Sequence, residues 1–205
     1  MSASVETPRP ERKLDTEKAQ RIVEAMRVTV GRHGAAGATF DRVAAEAGVS
    51  RGLLHYYFGT KERLLAATVR HDAELRMAQL EKRLAGADSI DAIIEALVTQ
   101  LQDFVHEDRG SQAVLYEMFS ASRRNDEIRE ELGRLYDLVR SRVAGVLREK
   151  EEAGVISLRG DAESVASVIF ALGDGFELQL ISSPDWDSSQ ALAAGIAAAR
   201  HLLGA

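Results

Sequence analysis

TFDRVAAEAGVSRGLLHYYF, residues 39–58, is the stretch on which the reading of this chain turns. Within it GVSRG, residues 48–52, matches the G-x-S-x-G pattern of a hydrolase nucleophile elbow, with Ser50 in the place of the nucleophile. An elbow needs a β-strand leading into its first glycine, because the strand holds the serine in a strained turn beside oxyanion-hole amides. The residues that precede Gly48 are spaced as a helix instead: Val43 and Ala47 lie four apart with Ala44 alongside, while Asp41, Arg42 and Glu46 face away. A formal order of Ser50, an Asp and then His201 is available, but a serine without a strained elbow stays a weak nucleophile. No enzyme follows from this pattern.

A turn between two short helices accounts for more of the same residues. Helices that meet at a sharp angle need a small residue where they touch, supplied by Ala44, and a residue tolerant of positive φ at the bend, supplied by Gly48. Val43, Ala47, Val49 and Leu54 then fall on the buried sides. This is a helix-turn-helix, with Thr39 capping its first helix and Ser50 its second, where the Ser50 hydroxyl also lies close to a phosphate. Arg51 stands at the end that enters a major groove, where a guanidinium can take guanine O6 and N7 together. Gly52 lets the backbone approach closely, and Leu53 offers apolar contact to a thymine methyl. His55, Tyr56, Tyr57 and Lys61 supply hydrogen bonds to the sugar-phosphate backbone. Phe58 is expected in the core.

The composition agrees with a DNA-contacting helix-turn-helix only after the chain is divided. Its 205 residues are 45% hydrophobic and 28% charged, enough for a real core. The formal net charge of −6 argues against nucleic acid for a uniform object. Residues 1–63, however, hold 11 Lys and Arg against 8 Asp and Glu, so a positive end sits on an acidic body. No cysteine is present, which excludes a disulfide framework, thiol catalysis and cysteine-ligated zinc. Five scattered histidines lack ligand spacing, so neither a metal nor a cofactor is expected. The N-terminal residues have no apolar signal core and no apolar run of spanning length is evident, so a cytoplasmic protein is expected.

Helical spacing recurs throughout, so the fold class is all-α: an N-terminal three-helix DNA-binding domain with the helix-turn-helix, plus a larger helical domain, for which the family resemblance described below implies ligand binding and dimerisation. Helices are expected from Asp15 or Thr16 to about His33, at 40–47, from Ser50 to Phe58, and near 61–84, 89–108, 111–124, 127–153, 161–182 and 188–203. Residues 1–15 form an N-terminal arm read as disordered, in which Arg9, Arg12 and Lys13 either brush phosphates or are simply solvated. The DNA-binding domain spans 16–63 and the second domain 64–205, joined through the long helix that starts near 61.

The stretch from Ala38 to Ala67, with its threonine-capped helix, A-x-x-x-G-V-S, a helix ending in aromatics and a Lys-Glu helix start, resembles the DNA-binding domain of the TetR family of bacterial transcriptional regulators. The resemblance implies that Thr39 and Arg42 contact phosphates, that Arg51, Gly52 and Leu53 meet base edges, and that His55, Tyr56, Tyr57 and Lys61 clamp the backbone. Leu53 stands where a small or polar residue is frequent in the family, and His55 where Tyr is frequent. The segments LYEMFSASRRNDEIREEL (115–132), AGVI (153–156) and SVIFALGDGFELQLIS (167–182) resemble, less specifically, C-terminal domains of the betaine-responsive-repressor type. The resemblance implies a two-fold homodimer, double-stranded operator DNA and a small-molecule ligand as partners, with repression relieved by the ligand.

Residue patterns place the parts within that expectation. On the helix at 161–182 the stripe Val165, Ile169, Leu172, Phe176 and Leu180, with Gly173, and on the last helix Ala191, Leu192, Gly195, Ile196 and Ala199, are candidates for a four-helix dimer interface. The other reading of those rows is packing within one subunit. The ligand pocket is expected among helices 89–124 and 161–182, lined by Phe104, Tyr116, Phe119 and Phe170, with His106, Glu117, Arg123, Asp174 or Gln179 as polar contacts. A helical interaction module without specific DNA binding is the competing non-enzymatic function, separable by whether Arg51→Ala abolishes operator binding while leaving the dimer intact.

Overall fold

The computed structural model describes residues 17–107 and 109–205, and of these the side chains of residues 106–109 lie outside the description. The arm with Arg9, Arg12 and Lys13 and the expected caps Asp15 and Thr16 lie outside it as well. Among the described residues there are nine α-helices and no strand: α1 (Glu17–Gly37), α2 (Phe40–Ala47), α3 (Arg51–Tyr57), α4 (Lys61–Ala85), α5 (Ile90–Glu107), α6 (Arg109–Ser122), α7 (Asp126–Glu152), α8 (Ala162–Ser182) and α9 (Ser189–Leu203).

Helix ends follow the local chemistry. Thr39, Thr60, Asn125 and Asp161 each accept a hydrogen bond from a backbone N–H three residues on, as capping residues do. Gly48 (φ 65°, ψ 38°) ends α2, with its own N–H bonded to Ala45 O and the Val49 N–H bonded to Ala44 O. That paired closure is the Schellman geometry, which a left-handed glycine makes possible. The first helix departs from expectation: it resumes beyond His33 and reaches Gly37, with Gly34 (φ 67°, ψ 168°) kinking it. HGAAG therefore breaks the helix at one residue and lets a last turn re-form.

Two hydrophobic clusters organise the molecule. The first gathers Ile22 and Met26 of α1, Val43 of α2, Leu54 of α3, Leu64 and Leu65 of α4, Val114 and Met118 of α6, and Ile128 of α7. The second gathers Met77, Leu80 and Leu84 of α4, Ile93 of α5, Leu147 of α7, Val165 of α8 and Leu203 of α9. Helix α4 contributes to both, so its 25 residues are one rod buried at two places. Helices α1, α2 and α3 thus share a core with α4, α6 and α7.

Polar links follow the same route. Arg63 pairs with Glu127 at 2.7 Å, Arg70 pairs with Glu131 at 2.6 Å, and Arg142 holds both oxygens of Glu81, so ion pairs tie α4 to α7 along its length. At the start of α6 the chain meets α1 so closely that a Cβ on Gly110 would lie 3.0 Å from the Arg27 carbonyl oxygen. Any larger residue there would force the two backbones apart by a few tenths of an ångström.

Helix α8 corrects one sequence expectation. It is long and apolar enough by length and composition to cross a membrane, which the sequence inspection missed because Asp174 and Glu177 interrupt it. Both carboxyls are hydrogen-bonded inside the chain, Asp174 to Tyr136 and Glu177 to Tyr116.

Candidate nucleic-acid interface and ligand cavity

The second helix of the helix-turn-helix is held from behind and open in front. Leu54 is fully buried and Phe58 nearly so, anchoring α3 on the first cluster, while Arg51, Gly52, His55 and Tyr56 are exposed. Tyr56 keeps 56% of its surface accessible although tyrosine has ample apolar area to bury. A Cβ on Gly52 would meet nothing closer than Ser50 Oγ at 3.9 Å. No contact within the chain requires glycine there, although a helical glycine costs about 0.5–1 kcal/mol relative to alanine.

The remaining predicted contacts occupy less uniform settings. Arg51 donates from one guanidinium nitrogen to both oxygens of Asp41 at 3.1 and 3.2 Å, an exposed pair. Arg42 donates to Gly37 O at 2.9 Å, and Lys61 donates to Ala35 O. Both cations therefore satisfy the last carbonyls of α1, a role the sequence reading did not foresee and one that basic groups near a helix C-terminus favour. Thr39 accepts from Arg42 N at 3.4 Å. Ser50 occupies the N-cap position of α3 in extended backbone, but its side chain makes no cap hydrogen bond, contrary to expectation. His55 packs edge-on against Phe40 and places Nδ1 3.1 Å from Gly59 O. Leu53 and Tyr57 are half-buried, both packed on the first cluster.

A second feature lies in the body. A partly open cavity of about 220 Å³ is lined by α4, α5, α7, α8 and α9, with Leu115 of α6 also at its wall. Of the candidate pocket residues, Phe104, Phe170 and Asp174 line it. Tyr116 does not line it but donates to Glu177, which does, at 2.5 Å. Glu117, Phe119, Arg123 and Gln179 stand elsewhere: Phe119 and Arg123 are exposed, and Gln179 bonds to Gly175 O on the outside of α8. The His106 side chain lies outside the described residues. Helical phase explains the misses, because residues on one helix point to different sides although their sequence neighbours line the cavity.

Sequence reasoning passed over Glu177, Tyr136 and Arg76. Tyr136 of α7 donates to Asp174 Oδ2 at 3.0 Å, and the Arg76 guanidinium of α4 lies 4.3 Å from the Phe104 ring centroid. The available signal for Glu177 was its place three residues after Asp174 in an apolar helix. Burial pushes the Glu177 carboxyl up to about 7 from an ordinary 4.5, with the Tyr116 hydrogen bond and Arg76 pulling the other way. Burial likewise raises Asp174, against the hydrogen bond from Tyr136, and raises both tyrosine hydroxyls.

That shift fixes a stability prediction. Between pH 4.5 and about 7 the folded chain holds at Glu177 a proton that the unfolded chain releases. Its contribution to stability is therefore complete below about pH 4.5 and is lost as pH rises through about 7. Denaturant titrations across this range are expected to show a steeper decline in the native protein than in Glu177→Gln; identical slopes would rule out the shift.

The interface candidates are placed inward. Ile169 and Ala199 are buried in the second cluster, and Leu172, Gly173, Phe176, Leu192, Gly195 and Ile196 line the cavity with them. A Cβ on Gly195 would meet the Phe176 ring at 2.8 Å, so this small-residue row serves contact between α8 and α9 of one chain. Leu180 and Ala191 are half-buried. The exposed apolar face belongs instead to Val168, Ala171 and Leu178 of α8 and to Ala194, Ala197 and Ala198 of α9.

Residues 22–68 match the family model described as bacterial regulatory proteins, tetR family, and residues 86–204 match that of the C-terminal domain of BetI-type transcriptional repressors. The HTH-type transcriptional regulator UidR of Escherichia coli is 26% identical over 137 residues, covering 67% of this chain and 68% of UidR. The HTH-type transcriptional regulator BetI of Agrobacterium fabrum is 40% identical over 57 residues, 28% of each chain. The crystal structure of the transcriptional regulator FadR from Bacillus subtilis in complex with stearoyl-CoA is similar in fold, with a TM-score of 0.69 at 18% identity over 90% of this chain and 96% of that one.

Proposed function

This chain belongs to the tetR family of bacterial regulatory proteins, and from that premise we propose that it is a ligand-released repressor that binds a pseudo-palindromic operator as a homodimer. The observation that carries the reading is the outer edge of α3, where Arg51, Gly52, His55 and Tyr56 are exposed while Leu54 and Phe58 fix the helix from behind. Arg51 reads a base edge, Gly52 admits the DNA surface, and Tyr56, with His55, Tyr57, Thr39 and Ser50, meets the sugar-phosphate backbone. Arg42 and Lys61 reach phosphates only by leaving, or by sharing, the carbonyls of α1 that they now satisfy.

Dimerisation follows from the exposed face of α8 and α9. Val168 and Leu178 keep 47% and 51% of their surface accessible, beside a row of exposed alanines. A contiguous apolar face of this kind is best covered by its own symmetry mate, whose small residues permit close helix approach. Two-fold symmetry then sets the recognition helices about 34 Å apart, one turn of DNA.

Ligand control uses the two-cluster architecture. The cavity touches α4 at Ala73, Arg76, Met77 and Leu80, and the same helix is fixed to the DNA-binding core at Leu64 and Leu65. A ligand that favours a tilted α4 changes the spacing of the recognition helices and opposes DNA. A second route runs along α6, from Leu115 and Tyr116 beside the cavity to Gly110 against α1.

The test is titration of the purified protein against its own upstream intergenic DNA and a scrambled duplex of equal length at two salt concentrations. Tighter binding to the native fragment that survives higher salt is expected. Equal, steeply salt-sensitive binding to both duplexes would reduce the interaction to phosphate attraction and overturn the specific-regulator reading. Linkage adds a reciprocal requirement: operator DNA must weaken the binding of an inducer by the factor by which the inducer weakens DNA.

A further inference from the structure

The cavity lining is mostly apolar, and among its polar residues Gln100, Arg76, Tyr136, Asp174 and Glu177 the carboxyls outnumber the one basic group. Asp174 and Glu177 lie one helical turn apart on α8, so both carboxyls point to the same side. Tyr136 reaches Asp174 from α7 and Tyr116 reaches Glu177 from α6. Among the described residues, Arg76 is the one basic side chain that lines the cavity, and its guanidinium faces the Phe104 ring. With all three groups ionised, two carboxylates stand against one guanidinium. Placing carboxyls in an apolar enclosure costs stability that apolar residues of similar size would not, so their presence at the lining calls for a partner beyond the tyrosines.

We propose that the cavity takes an apolar molecule ending in a protonated amine, whose N–H groups bridge the Asp174 and Glu177 carboxylates. This rests on the ligand-responsive reading above and names the chemical class of the ligand. A carboxylate accepts up to about four hydrogen bonds, so an ammonium adds to the tyrosine donors and need not displace them. Its charge balances the excess left by Arg76, and its apolar body fills the space among Leu80, Ile94, Leu97 and Phe170. A carboxylate ligand would set a third anion beside two. An alcohol would supply a single donor without charge, and a quaternary ammonium would supply charge without donors.

Proton linkage gives the assignment a signature. The groups that face Glu177 are Tyr116 from α6, Arg76 from α4, and Asp174 on its own helix, with Tyr136 of α7 behind Asp174. From α5 the lining residues are uncharged, as are those from α9. Burial holds Glu177 protonated up to about pH 7, so an ammonium must expel that proton below this pH. Affinity for an amine is then expected to rise about tenfold per pH unit below about 7 and to level off above it.

The experiment is calorimetric titration of the full chain with four probes that share one body: phenylpropylamine, phenylpropyltrimethylammonium, phenylpropanol and phenylpropionate. The amine is expected to bind at least about tenfold more tightly than each of the others at neutral pH, with proton release at lower pH. Asp174→Asn combined with Glu177→Gln is expected to bring amine and alcohol to within about threefold of each other while alcohol affinity is kept, which separates lost charge from lost fold. Alcohol, carboxylate or quaternary ammonium binding as tightly as the amine, or no binding of any probe at millimolar concentration, overturns the assignment. Calorimetry needs no DNA, so its failure is distinct from failure of the operator titration. Amine preference without any change in operator affinity would leave the ligand class standing and remove the inducer role.

Discussion

Replacing Arg51 by alanine is expected to lower affinity for the native operator by roughly 30-fold to 10⁴-fold while leaving affinity for a scrambled duplex within about threefold. A bidentate arginine-guanine contact is worth about 1–3 kcal/mol, and a two-fold dimer loses it at both half-sites, for roughly 2–6 kcal/mol in all. The folded state should tolerate the change, because the Arg51–Asp41 pair is exposed on both sides and such pairs contribute about 0–1 kcal/mol. Fluorescence anisotropy on both duplexes, with size-exclusion chromatography of the variant, separates the outcomes. An equal loss on both duplexes would make Arg51 a phosphate contact, and no loss on either would remove α3 from the base edges.

Leu84→Ala is expected to carry the largest cost to stability, about 2–5 kcal/mol. Leu84 lies at the far end of α4 with 1% of its surface exposed, packed in the second cluster with Ile93, Leu147 and Leu203. It does not line the cavity, so the lost packing is not confused with a change in the ligand site. For a chain of this size each kcal/mol lowers the melting temperature by about 2–4 °C, which places the shift at roughly 5–20 °C. Because α4 belongs to both clusters, far-ultraviolet and near-ultraviolet circular dichroism should lose structure together. A shift under about 2 °C would mean that the site collapses around the smaller side chain.

Much of this molecule was legible before any coordinates. The start of α2 was marked by Thr39, whose short polar side chain satisfies a backbone N–H locally, and the bend at Gly48 by a conformation that a side chain makes costly. Those signals depend on a few neighbouring residues, so sequence carries them. Gly34 shows the limit even here, since the same HGAAG that signals an end allows one more turn.

Side-chain direction was less accessible. Ile169 and Phe176 form an apolar stripe that suits a partner subunit as well as it suits a cavity, and periodicity does not say which. Arg42 and Lys61 are basic residues beside a DNA-binding motif, yet the kinked end of α1 brings carbonyls within their reach. The charged sector was missed for a related reason: Tyr116, Tyr136 and Glu177 come from three helices, and the pairings that bring them together span 61 residues and 38 residues of chain.

By itself, then, the sequence determined the all-helical class, the approximate positions of the helices, the helix-turn-helix and the exposure of Arg51, Gly52, His55 and Tyr56 on its second helix, because each depends on propensities and phases within about two turns of chain. Only the tertiary structure decided that α4 joins two cores, that the stripe on α8 turns inward, and that two carboxyls and two tyrosines meet at one cavity. Those outcomes depend on which helix packs against which, and burial of apolar surface is non-directional until the packed helices give each side chain a particular neighbour.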